Sequence, residues 1–432
     1  MTSTTVPRRA LRRRLLLLIV VTAAVVAAQV WYGNRHHFLD LRIYVNAMRW
    51  WHDGHPLYSF AHDDPIQGRL GFTYPPFAAL VLAPLGVIGF RASVFLFWAG
   101  SAAAVIVTTI WLVRPIARRH HVPLWFATLL AVPLVSTLEP IRETVNFGQI
   151  NMLLVLLVLT DLLIVAPRWP RLAGIGIGIA AAIKLTPAIF IVYLLITRRW
   201  RAALTATATA AGATLLAAAV AWTDSWHFWT AALWETGRVG HTDRVANQSI
   251  LGMLARLSDP AEPGRLVWVC LVVVTAGYGL WRARRAALAG DEVVGLTVTG
   301  FVGGLASPIT WPHHLFWFVP ALLVLVDVAG GDGRAAARRP GLFVLAGLCW
   351  ASVTVSVISL FELGLSKRLF AHGLPGFLIE NWYVLLAAVL IVALPVRGRA
   401  VPAFAERATP AVPPRPVDEP AMAGTGASPH LG

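Results

Sequence analysis

GIGIGIAAAIKLTPAIFIVYLLI, residues 174–196, holds a single charged side chain, Lys184, in an otherwise apolar run. At the helical rise of about 1.5 Å per residue, a run of this length reaches across the roughly 30 Å hydrocarbon core of a bilayer. Comparable runs recur at 15–32, 75–90, 92–113, 122–138, 150–166, 172–196, 202–222, 266–281, 292–309, 313–328, 341–361 and 382–396. Of the 432 residues, 57% are hydrophobic and 13% charged, where soluble domains carry about 25% charged residues. The chain therefore reads as an all-α, polytopic integral membrane protein with about 11–12 transmembrane helices.

The formal charge of +15 is carried almost wholly by arginine, since Lys184 and Lys367 are the only lysines. The arginines cluster in short connections such as TRRWR, WRARRAALAG and GDGRAAARRP. Placed between apolar runs, such clusters mark the inner side of a membrane rather than a nucleic-acid partner. On that rule residues 1–14 are a basic cytoplasmic N-terminus, 15–32 an uncleaved first span, 33–74 a first outer loop and 223–265 a second large outer loop. Residues 15–396 form one membrane unit. The segment 397–432, rich in Pro, Ala and Gly without apolar periodicity, reads as a disordered cytoplasmic tail.

One connection resists this scheme. If 75–90 and 92–113 both cross, RPIARRHH at 114–121 falls outside, against the charge rule. Either one of them is a half-length re-entrant piece, or 172–196 is a hairpin broken at KLTP, where proline disfavours helix at the residue before it. Cys270 and Cys349 lie inside apolar runs and read as small buried hydrophobes.

Polar groups near hydrocarbon need a partner or a task. In FLDLRIYVNAMRWWHDGHPLY, residues 38–58, the helical spacing of Leu41, Tyr44, Met48 and Trp51 predicts a short amphipathic helix in the interface. Asp40 at its start is either an N-cap or a catalytic carboxylate at the water–lipid boundary, and the two are compatible. Asp53, Asp63 and Asp64 compete for that role from stretches that read as solvated loop. Lys184 has no charged flank within snorkelling reach, so it calls for a partner or an anionic ligand such as a phosphate. In EPIRETVNFGQIN, Arg142, Asn146, Gln149 and Asn151 form either a solvated, capped loop or the wall of a cavity suited to hydroxyl-rich ligands. Tyr74 in GFTYPPF reads as a belt aromatic, with Pro75 and Pro76 opening a helix. The loop that carries His241, Asp243, Arg244, Asn247, Gln248 and Ser249 reads as a surface or re-entrant helix capped by Asn247. His313 and His314, beside Trp311 and Pro312, open another span. No Walker loop, dinucleotide fingerprint, HExxH or CxxC is present, so the residues call for no cofactor and no metal.

Taken in order, Asp40, the IY ending at Tyr44, Gly54, the LY ending at Tyr58, FTYPPF, GQIN, KLTP, NQSILG and SPITWPHH resemble the polyprenol-phosphate-mannose-dependent mannosyltransferases of glycosyltransferase family 87. That family lies within the GT-C superfamily, and the arginine- and alanine-rich composition looks like an actinobacterial member. The likeness runs from about residue 40 to about residue 320. It implies a GT-C-type membrane enzyme in the plasma membrane with its active site on the outer side. Such an enzyme takes mannose from a polyprenyl-phosphate mannose donor and passes it to a glycolipid acceptor of the phosphatidylinositol mannoside or lipomannan type, with inversion, through an α-1,2 linkage. The resemblance also implies a first-loop acid as base, the position Asp40 holds. Lys184, Arg244, His313 and His314 are then expected at the donor phosphate, and Tyr44, Tyr58, Tyr74, Gln149, Asn151, Asn247 and Gln248 along the substrate groove. A lipid-linked sugar transporter, or a GT-C transferase for another sugar such as arabinose, stays open at this point.

Overall fold

A computed structural model describes residues 8–65, 68–235, 240–259, 261–331, 339–362 and 373–397. Among them the regular elements are helices, apart from one antiparallel hairpin that pairs Ala61–Asp64 with Gly68–Gly71. That hairpin occupies what the sequence reads as solvated loop. Five helices are long and apolar enough to cross a membrane, namely Arg8–Tyr32, Phe90–Arg119, Asn151–Arg168, Trp200–Val220 and Arg265–Leu288. Two further pairs, Leu124–Ser136 with Glu139–Phe147 and Gly373–Glu380 with Trp382–Ala393, bend by 66° and 72° at their breaks.

The two remedies for the awkward connection occur together. Residues 75–90 form only the short helices Pro76–Leu82 and Leu85–Ile88. Residues 172–196 form Ile175–Ile183 and Ile189–Ile196, broken at Lys184, whose backbone is extended at φ −147°, ψ 132°. Gly174 lies against Ala202 and Gly178 against Ala206, so the first half runs alongside Trp200–Val220 in the same direction. The second half returns: Ile189 packs on Gly303 and Tyr193 on Gly295, and the Arg199–Glu292 pair, 2.5 Å apart, fastens its exit. Lys184 thus stands at the tip of a half-length hairpin.

Phe90–Arg119 spans 30 residues, about 45 Å at helical rise. At one end Arg42 stacks on Phe90 at 4.7 Å. At the other, Arg119 and His120 bind Asp327 at 3.1 and 2.9 Å, and Arg397 joins Asp327 to Asp291 at 3.0 and 2.6 Å. The connection at 114–121 therefore shares an end with residues 291 and 397, the end to which the arginine pattern assigns the inner side. Arg397 is anchored here rather than opening a loose tail, and residues 398–432 lie outside the described set. Cys349 is buried, whereas Cys270 is exposed on an outer helix face.

Asp161 is buried where the helix from Asn151 widens into a π-turn, Thr160–Val165. Its oxygens accept from Gly174 N at 2.8 Å and Ile177 N at 3.0 Å, supplying the cap that the next helix lacks in its own sequence. Asp161→Ala is expected to cost about 2 kcal/mol, read as a lower unfolding midpoint in detergent.

Candidate active site

The helix Leu39–His52 forms as its periodicity predicts, with Leu41, Tyr44, Val45 and Met48 buried on one face. That face packs against protein rather than lipid. Phe38, at φ 58°, takes the N-cap position without a side-chain bond, so Asp40 is not a cap. The helix stops at Gly54, whose N donates to Trp51 O at 3.0 Å and whose φ of +85° suits only glycine without strain.

Asp40 faces a cavity of about 920 Å³. Gln149 holds it in place: the amide nitrogen donates to Asp40 Oδ2. The amide oxygen of Gln149 accepts from Tyr44 OH at 3.0 Å and Tyr74 OH at 3.1 Å, and the two phenols lie 2.7 Å apart. Gln149 is 5% exposed, so its amide polarity is fixed by these partners. Burial pushes the Asp40 carboxyl up to about 6, against the opposing pull of the Gln149 hydrogen bond and of the Lys184 and His36 charges.

Lys184, at the hairpin tip, reaches the same cavity. Its Nζ lies 2.9 Å from Asn151 Oδ1, 3.1 Å from His314 Nε2 and 3.4 Å from Tyr74 OH. Its partners among these are all neutral groups, which leaves its charge open to an anion. Trp311 N donates to His314 Nδ1 at 3.2 Å and fixes that ring. Arg244 lies on the cavity wall, exposed to solvent.

Several expected positions carry structure instead. Tyr58 is 2% exposed and absent from the cavity wall; its hydroxyl donates to Tyr74 O at 2.8 Å and supports the segment that carries Tyr74. Asn247 is fully buried and braces the loop before the histidines: its Oδ1 accepts from Thr310 N at 2.9 Å and its Nδ2 donates to Thr242 O and Pro308 O. The helix cap is Ser249, which accepts from Gly252 N at 3.0 Å. Gln248 ties Glu380 O at 2.6 Å to the amides of Tyr383 and Val384. Asn151 stands behind Lys184 and also donates to His313 O at 3.0 Å. His313 contributes to the wall, but its ring nitrogens are closed off, and the ring packs edge-on against His314 at 4.7 Å. Tyr74 is buried rather than interfacial, and Arg142 and Asn146 lie in a buried helix rather than a solvated loop. Asp53 and Asp63 are exposed, Asp63 beside Arg69 at 3.7 Å, while Asp64 reaches the rim of the cavity.

Sequence reasoning passed over His36, Glu139 and Glu143, all on the cavity wall. The signal was present in EPIRETVNF: two carboxylates four residues apart, followed by Phe147 after four more, a single helical stripe. Among the described residues no group of three or more His, Cys, Asp or Glu side chains is placed to share a metal ion.

The arrangement pairs an ionisable carboxylate of raised pKa with a lysine-centred cationic end in one roomy cavity. It can take a proton from a hydroxyl at one point and receive a phosphate at another.

The sequence profile of glycosyltransferase family 87 matches residues 72–308. A Mycobacterium tuberculosis protein named polyprenol-phosphate-mannose-dependent alpha-(1-2)-phosphatidylinositol mannoside mannosyltransferase is 36% identical over 313 residues, 68% of this chain and 71% of that protein. Its Mycolicibacterium smegmatis counterpart is 36% identical over 311 residues, 67% and 70% of the two chains. A second M. tuberculosis protein, named for phosphatidylinositol pentamannoside, is 32% identical over 364 residues, 83% of this chain and 80% of that one. No solved structure matches.

Proposed function

The chain belongs to glycosyltransferase family 87 and is a multi-pass membrane glycosyltransferase, and from that premise we propose that it moves mannose from polyprenyl-phosphate mannose to a hydroxyl of a phosphatidylinositol mannoside-type acceptor. The linkage is α-1,2 and the configuration inverts. The observation that carries this reading is the meeting of Asp40 and Lys184 in one cavity, joined through Gln149 and Tyr74.

Asp40 is the base. Its Oδ atoms take the proton from the acceptor hydroxyl as that oxygen attacks the anomeric carbon, and a single carboxylate suffices because the departing phosphate needs neutralising charge more than a proton. Lys184, His314 and Arg244 form the phosphate end, with His313 packed behind His314. Tyr44, Tyr74 and Gln149 keep the carboxylate at its station and face the sugar. Tyr58, Asn151, Asn247 and Gln248 act one step back, through the groups they brace. The cavity opens on the outer side: it lies at the Phe90 end of a 30-residue helix whose other end gathers Arg118 and Arg119.

The test is transfer by the purified protein, supplied with polyprenyl-phosphate mannose and a phosphatidylinositol mannoside in detergent, with no ion gradient. Mannosylated lipid and free polyprenyl phosphate are expected in equal amounts; a transporter yields neither. Because the base works ionised and burial raises its pKa to about 6, the rate is expected to rise with pH through about 6, level off above, and fall away as pH drops below it. A flat profile between about pH 5 and 7.5 would remove Asp40 from that role.

A further inference from the structure

The cavity carries a second polar cluster that the donor machinery does not employ. His36, four residues before Asp40, lies on its wall. The imidazole stacks on Phe147 with centroids 3.9 Å apart and planes at 18°, and its Nε2 lies 2.8 Å from Glu143 Oε2. Glu143 is 3% exposed. Tyr32 OH donates to its other oxygen at 3.1 Å, with Arg142 Nε 3.5 Å away. This carboxylate is therefore shut off from a ligand, and what it can do is hold the imidazole. With Nε2 held in this close contact with the carboxylate, the other ring nitrogen, Nδ1, is left to hydrogen-bond a ligand. His36 is 37% exposed and lines the cavity, so the ring can be reached from it.

The backbone is built to present this ring. Asn34 Oδ1 accepts from His36 N at 3.1 Å and His37 N at 2.9 Å. His37 and Phe38 both adopt positive φ, 49° and 58°, and Phe38 N is tied to Asn146 O at 3.0 Å. Two successive non-glycine residues in the left-handed region persist only where the surroundings fix them.

Position then assigns a task. Asp40 is coupled to both groups: its carboxyl feels the charges of His36 and Lys184, and Gln149 and Tyr74 link it to Lys184. In an inverting displacement the attacking hydroxyl and the leaving phosphate occupy opposite faces of the anomeric carbon. With the phosphate at Lys184, the acceptor hydroxyl reaches Asp40 from the opposite face of the sugar, and His36 and Phe147 supply cavity wall against which its headgroup can rest.

We propose that His36, held by Glu143 and stacked on Phe147, is the acceptor subsite, its Nδ1 hydrogen-bonding a hydroxyl of the acceptor's sugar headgroup. This rests on the reading of Asp40 as base and Lys184 as phosphate contact given above. His36 is a positioning group, so its removal acts on acceptor binding more than on the chemical step.

The experiment varies polyprenyl-phosphate mannose and phosphatidylinositol mannoside separately over the purified enzyme. His36→Ala is expected to raise KM for the acceptor about tenfold, the loss of one hydrogen bond and part of a platform, with the donor KM within about twofold of wild type. His36→Gln, whose amide can still hydrogen-bond a hydroxyl, is expected to recover part of that loss, and Glu143→Gln, which loosens the ring, to fall between wild type and His36→Ala. An unchanged acceptor KM, an equal rise in the donor KM, or a loss confined to kcat overturns the subsite. Asp40→Asn separates the two layers. If that variant still transfers mannose, the underlying reading fails; if it is inactive while the His36 series leaves acceptor KM at the wild-type value, the subsite alone fails.

Discussion

Asp40→Asn is expected to cut the initial rate of mannosyl transfer by about a thousandfold, within the range that loss of a positioned general base produces. The substitution keeps the size of the side chain and leaves an oxygen for the Gln149 amide to bond, so the Gln149, Tyr44 and Tyr74 cluster survives. What disappears is the carboxylate that faces the cavity and is linked to the cationic end through Gln149 and Tyr74. Donor KM should move little, because the phosphate contacts at Lys184 and His314 are untouched. The residual rate should also lose the rise near pH 6 that the wild-type enzyme shows. The measurement is initial velocity at several pH values with both lipids saturating, and a variant that keeps more than about a tenth of the wild-type rate would sink the assignment.

Gly148→Ala is expected to damage both fold and activity, although it adds one methyl group to a residue that touches no substrate. Gly148 ends the helix Glu139–Phe147 in the left-handed region, at φ 68°. A Cβ built there would sit 2.6 Å from Leu41 Cβ and 3.3 Å from its Cδ2. Leu41 is fully buried, follows Asp40 directly, and has nowhere to retreat. Left-handed strain of about 1 kcal/mol adds to an overpacking cost of about 1–3 kcal/mol. Relief requires the helix that carries Asp40 to move away from Gln149, the neighbour of Gly148. A lower unfolding midpoint in detergent should therefore accompany a rate loss of at least about tenfold, since small misplacements of a base are costly. Wild-type rates at a lowered midpoint would show that the approach of these two segments does not control the base.

The periodicity of 39–52, the length of the apolar runs and the placement of arginines were sufficient to give a helical membrane protein and a first-loop acid, because helical phase and hydrocarbon thickness act within a dozen or two consecutive residues. Lys184 was legible for the same reason, as a charge in a run that should hold none. Tyr58, Asn247 and Gln248 show where this reading gives out. A buried amide bonded to backbone and an amide facing a sugar have the same local sequence, and only the neighbours brought by distant segments separate them: Thr310 for Asn247, Glu380 and Tyr383 for Gln248.

The chain's own pattern thus determined that it crosses a membrane, which end of its helices is basic, and that Asp40 and Lys184 needed explaining. Tertiary structure decided that residues 172–196 fold back halfway, which brings Lys184 to the cavity that Asp40 faces, and that Glu143 aims His36 into that same space. Burial and charge pairing are properties of residues far apart in sequence, whereas amphipathic phase and span length are properties of neighbours along it.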